Sequence, residues 1–151
     1  MKAEQIYVPD NLLNKFTDKQ IKKHGRHFIA VELPDDIKRG KFGRCFDNSL
    51  ITAVRSKGKY RYVEGFAYSP PMEKWVHHAW LTDELGILAY DPTWLALDVN
   101  QKEKGLNEAG FIFVGVPMDT EKIANFVLGT EYSSVFRHYK KNKKLANKIF
   151  V

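Results

Sequence analysis

The chain has 151 residues and a mass of 17.5 kDa, enough for one domain with a hydrophobic core. With 44% hydrophobic, 13% aromatic and 28% charged residues, it excludes a disordered chain, a collagen-like chain and a small disulfide scaffold. The net charge of +6 sits at one end. Six of the 24 basic residues fall between Arg137 and Lys148 with no acid among them, leaving 18 basic and 18 acidic side chains elsewhere.

A single cysteine, Cys45, leaves no internal disulfide to form and fits a reducing, cytoplasmic setting. No apolar run of about 18 residues marks a membrane helix, and the first residues do not read as a signal peptide. No membrane partner is expected. The basic stretch Arg137–Lys148 reads first as solvated helix turns whose lysines suit the helix dipole. The alternative is weak contact with an acidic partner or nucleic acid.

In chain order, Leu12, Leu13 and Phe16 fit a short helix capped by Asp10 or Asn11. Arg26 to Leu33 reads as a strand ended by Pro34, and Asp35 to Arg44 as an exposed loop with Gly40 and Gly43. Phe46 to Val54 carries an apolar stripe at Phe46, Leu50, Ala53 and Val54, which predicts a helix. Tyr60 to Tyr68 predicts a strand broken by Ser69-Pro70-Pro71. Val76–Thr82 and Ile87–Asp91 read as a hairpin around Asp83–Gly86. Phe111 to Val116 is a further strand, closed by Pro117. Thr120–Leu128 predicts a helix capped by Thr120, and about 132–148 a last basic helix. The expected class is α+β, helices packed on an antiparallel sheet, within one domain spanning 1–151.

Cys45 follows a glycine-bearing loop and opens a helix. Helix N-termini present free N–H groups and a positive dipole end, which favour the nucleophilic thiolate. The bland alternative is a buried cysteine acting as a small hydrophobe. In a hairpin turning at Glu84-Leu85, Trp80 pairs with Ala89 and His78 with Asp91. Opposed residues share a face with Cβ atoms about 4.5–5.5 Å apart. A carboxylate there accepts one ring N–H and leaves the other imidazole nitrogen free to act as base. A three-residue loop would put the two on opposite faces. His77 points to the other face from Asp91. Thiolate, imidazole and carboxylate make a complete nucleophilic triad.

The segments Gly43-Arg44-Cys45-Phe46-Asp47-Asn48, His78-Ala79-Trp80 and Tyr90-Asp91-Pro92-Thr93 resemble the transglutaminase-like branch of the papain-like cysteine enzymes over about 50 residues. The resemblance implies a cysteine-bearing helix packed on an antiparallel sheet. It implies Cys45 as nucleophile, His78 as general base and acid, and Asp91 as the orienting group. Arylamine N-acetyltransferases share that superfamily, and their cysteine motif is similar. No Gln or Asn occurs from Leu33 to Arg44, so an oxyanion hole would combine the Cys45 N–H with an unnamed second donor.

Three further positions are substrate-binding candidates. Asn48 is three residues after Cys45 and either polarises a substrate amide or makes ordinary helix-end bonds. Glu64 either meets substrate or is a solvated edge carboxylate. Trp80 shares the His78 face and either lines a pocket or packs in the core. His24, His27 and His138 show no ligand spacing, so neither metal nor cofactor is expected. The functional expectation is thiol-dependent acyl transfer on a protein, peptide or small amide: a peptidase, amidase or deamidase. The rivals are an acyltransferase of the transglutaminase or arylamine N-acetyltransferase kind, and a non-catalytic module binding through the basic C-terminus.

Overall fold

In the computed structural model, which describes residues 8–41, 43–94, 110–128 and 134–149, the first full helix, α1, spans Lys15–His24. Its cap is neither Asp10 nor Asn11, as the sequence suggested; those residues form a 3-10 turn, Asp10–Leu12. Asn14 caps instead, because a threonine lies three residues on. The Asn14 side chain accepts from the Thr17 N–H and the Thr17 hydroxyl accepts from the Asn14 N–H, each at 2.8 Å. This is a reciprocal capping box.

Five strands follow: β1 Arg26–Ala30, β2 Arg61–Ser69, β3 Lys74–Thr82, β4 Leu88–Ala89 and β5 Ile112–Met118. Their order across the sheet is β3-β2-β5-β1-β4. β2 and β3 form a hairpin from Arg61↔Thr82 to Ser69↔Lys74. The sheet is mixed where an antiparallel one was expected, because β4 runs parallel to β1 through Ile29↔Leu88 and Ala30↔Ala89. Past β4, Tyr90 makes an antiparallel bridge to Leu81 of β3. The sheet therefore curls until its two edges touch.

The anticipated Val76–Thr82/Ile87–Asp91 hairpin is reduced to that one bridge. Residues 87–89 give their backbone bonds to β1 instead: Ile29 N–H donates to Ile87 O and Val31 N–H to Ala89 O. The Asp83 carboxylate receives the Ile87 and Leu88 N–H groups and shapes the bend. Pro117 does not end β5. It lies past the residues of β5 that β1 pairs, where the strand is open on that side.

Helix α2, Cys45–Arg55, packs on β2 and β3. It covers the sheet face that carries Tyr62, Phe66, Ala79 and Leu81. The opposite face holds Phe28, Trp80 and Phe113 around Val63 and Ala67. There the Phe28–Trp80 and Trp80–Phe113 rings meet edge-to-face at 5.7 and 5.0 Å, each contact worth about 0.5–1.5 kcal/mol beyond burial. Gly115 makes room for this: a Cβ on it would lie 2.8 Å from the Trp80 ring.

Helix α3, Thr120–Leu128, begins after Asp119, whose carboxylate accepts the Lys122 N–H at 3.0 Å. Asp119 thus supplies the capping bond foreseen for Thr120. The continuous last helix expected over about 132–148 is broken, and residues 129–133 lie outside the described part. Two short helices, α4 Val135–His138 and α5 Lys143–Ala146, flank a 3-10 segment, Tyr139–Asn142. The break falls at His138, whose φ of −124° and ψ of 16° leave helical geometry.

Glu64 anchors this C-terminal segment. It is 0% exposed, where a substrate contact or a solvated edge carboxylate was anticipated. Its oxygens accept from the Tyr62 hydroxyl, His77 Nε2, the Ser134 hydroxyl and the N–H groups of Val135 and Phe136, at 2.6–3.0 Å. A carboxylate on β2 thereby caps α4, some seventy residues on. Burial pushes its carboxyl up, but the His77 contact, the Ser134 hydroxyl and the Phe136 N–H outweigh that and hold it below the usual range. Its share of stability is therefore present above the ordinary carboxylate range and lost as pH falls through the lowered value. Glu64→Ala would strand these donors, and chemical denaturation should show a loss of about 3–5 kcal/mol. A loss under about 1 kcal/mol would contradict the anchoring role.

Candidate active site

Cys45 is the first residue of α2 and is partly exposed. The residue before it, Arg44, makes no side-chain cap. The first intrahelical acceptor bond is Asn48 N–H to Arg44 O at 2.9 Å. Helix geometry leaves the N–H groups ahead of Asn48 without intrahelical acceptors, at the end where the dipole is positive.

His78 lies on β3 and Asp91 just after β4. The His78 Nε2 donates to Asp91 Oδ2 at 2.6 Å, with the two residues 2% and 0% exposed. The sequence anticipated this contact through a register that the fold does not use. The bridge Leu81↔Tyr90 shifts the pairing by two residues, which places His78 and Asp91 diagonally. A two-residue shift preserves the face, so the side chains still meet.

Asp91 is held by its own turn. Its Oδ1 accepts the N–H groups of Thr93 and Trp94 at 2.9 and 3.0 Å, an Asx turn that aims Oδ2 at the imidazole. The turn also lays the Trp94 indole flat on the His78 ring, with centroids 3.8 Å apart and planes 20° apart. Trp94 was not foreseen as a site residue. The signal available was the Asp-Pro-Thr-Trp run, in which an Asx turn returns the backbone N–H of the fourth residue to the side chain of the first.

The Cys45 thiol is close enough to the same imidazole to favour its charged form. Since Nε2 is spent on Asp91, Nδ1 is the nitrogen left for sulfur. Burial works against a charged His78 ring, but the Asp91 carboxylate and the Cys45 contact outweigh it and raise His78 from 6.5 to about 9.

The other candidates divide. Asn48 holds the site together from the side: its Nδ2 donates to Lys41 O and to Thr93 Oγ1, both at 2.9 Å. Gly40 N–H donates to Pro92 O at 3.0 Å, and a Cβ on Gly40 would collide with the Asn48 side chain. Loop, helix and Asp91 turn are thus locked together. Trp80 is fully buried, stacked at 6.1 Å from His78; it packs the core and lines no pocket, because no part of it reaches solvent. Glu64 is likewise sealed away from any substrate. His77, as anticipated, faces away from Asp91 and bonds Glu64. Among the described residues, no three His, Cys, Asp or Glu side chains group as metal ligands, and no helix is long and apolar enough to cross a membrane.

Comparison with known protein families, curated proteins and solved structures finds no match to this chain.

A raised His78 pKa makes the pair a pH-dependent stabiliser. Its contribution is fully present below about 6.5 and is lost as pH rises through about 9. An NMR titration should find the His78 ring protonated across neutral pH. Asp91→Asn should move the midpoint down, since the carboxylate that most offsets burial is then gone. A wild-type midpoint at or below 6.5 would contradict the pairing.

Proposed function

We infer that the chain is a transglutaminase-like cysteine enzyme of acyl transfer, acting on an amide. The observation that carries this reading is the short His78–Asp91 hydrogen bond, made by an imidazole that the Cys45 thiol is close enough to perturb. The reading agrees with the motif resemblance around Cys45, His78 and Asp91.

In the proposed mechanism, Cys45 Sγ, its proton held on His78 Nδ1, attacks the substrate carbonyl carbon. The S–C bond forms as the carbonyl π bond opens to an oxyanion. The N–H groups of the first turn of α2, beginning with Cys45, are the donors at hand for that oxygen. Collapse of the intermediate breaks the C–N bond, and His78 returns its proton to the departing amine. The thioester then yields to water, with His78 taking the proton, and the acid is released with the thiol restored. An amine in place of water would give a new amide by the same steps. Asp91 holds the ring orientation and stabilises its charged form, while Trp94 covers the ring and limits water around the pair.

A generic activated ester tests this. With p-nitrophenyl acetate, intact mass should show one acetyl group on Cys45, and Cys45→Ala should remove both the adduct and the burst of nitrophenolate. His78→Gln should slow acylation by about 10²–10⁴-fold. Equal nitrophenolate release from wild type and Cys45→Ala would end the reading.

A further inference from the structure

Arg137 touches the chain neighbour of each member of the proposed catalytic pair. Its guanidinium carbon lies 5.1 Å from the centre of the Phe46 ring, next to Cys45. Its Nε donates to His77 Nδ1 at 3.0 Å, next to His78. His77 is itself fixed by Glu64 at 2.9 Å and by the edge of Phe46 at 4.9 Å between centroids. The Arg137 side chain is therefore exposed yet held in place, by a ring beneath it and one N–H bond. No carboxylate among the described residues lies within ion-pair reach of it. Its terminal N–H groups have no hydrogen-bond partner among the described residues.

The other side of Cys45 has the same sign. From Lys38 to Arg44 the chain carries four basic residues and no acid, and all four are exposed. This loop is fastened beside the site through Lys41 O and Gly40 N–H. The one acid of α2, Asp47, pairs with Arg44 at 2.9 Å. A preorganised guanidinium at the rim of a cationic site recognises planar anions, carboxylates above all.

We propose that Arg137 is a specificity-determining residue that binds a carboxylate on the acyl donor, so that the substrate class is a carboxylate-bearing amide. This rests on the nucleophile reading above and adds what the nucleophile selects. The Glu64 anchor then has a purpose beyond stability, since it caps the short helix that carries Arg137.

Two reagents of one size and different charge test it: iodoacetate and iodoacetamide, each alkylating Cys45 as an Sγ–C bond forms and iodide leaves. The ratio of their rate constants isolates recognition of the carboxylate. Arg137→Gln should lower the iodoacetate-to-iodoacetamide ratio about tenfold, and Arg137→Lys should retain most of it. A ratio within about twofold of wild type in Arg137→Gln, or a parallel fall of both rates, overturns the carboxylate site while leaving an activated Cys45 in place. If the wild-type Cys45 reacts with neither reagent faster than free N-acetylcysteine, the nucleophile reading itself fails and takes this one with it.

Discussion

The hydrogen bond between His78 Nε2 and Asp91 Oδ2 is the contact on which the rest of the site depends. It joins two residues that are both closed to solvent, where an unpartnered charge would be costly. Each neighbour serves it. The Asx turn at Asp91 fixes the carboxylate, Trp94 seals the ring, and Asn48 pins the turn to the helix that bears the thiol. Without the carboxylate, burial would drive the ring toward neutrality, and the thiol would face an imidazole with nothing to orient it.

Strand alternation divides two adjacent histidines between two tasks. His78 turns to the face of Trp80 and Phe113 and meets Asp91. His77 turns to the other face and meets Glu64, Phe46 and Arg137. Each imidazole has a buried carboxylate, but the surroundings differ. Asp91 has two backbone donors and one imidazole, and the imidazole is left with a second nitrogen for chemistry. Glu64 gathers five donors and caps a helix, while both nitrogens of His77 are occupied. The second pair holds the C-terminal segment against β2 and β3, and the first is the one the proposed reaction would use.

Much of the site was legible because it rests on short-range rules. A loop-to-helix junction placed Cys45 at a helix start, and side-chain parity placed His78 and Asp91 on one face. Parity survives a register error of two residues, which is why the contact was anticipated although the hairpin was not. The mixed sheet was not legible. Nothing local to Ile87–Ala89 says that these residues will pair with β1, which precedes them by nearly sixty positions, rather than with the adjacent β3. Glu64 was misread for the same reason. Its alternation along β2 placed it on a face, but its partners Ser134, Val135 and Phe136 arrive from the far end of the chain. The last helix looked continuous because lysines tolerate helix, 3-10 and turn alike, so the break at His138 left no mark in composition.

The central claim is that His78 activates Cys45, and the rate of Cys45 modification by a neutral electrophile in mildly acidic buffer measures it most directly. The account predicts fast modification of wild type and, in a folded His78→Gln variant, a fall of about 10²-fold or more. Superimposable rates for the two proteins would contradict it.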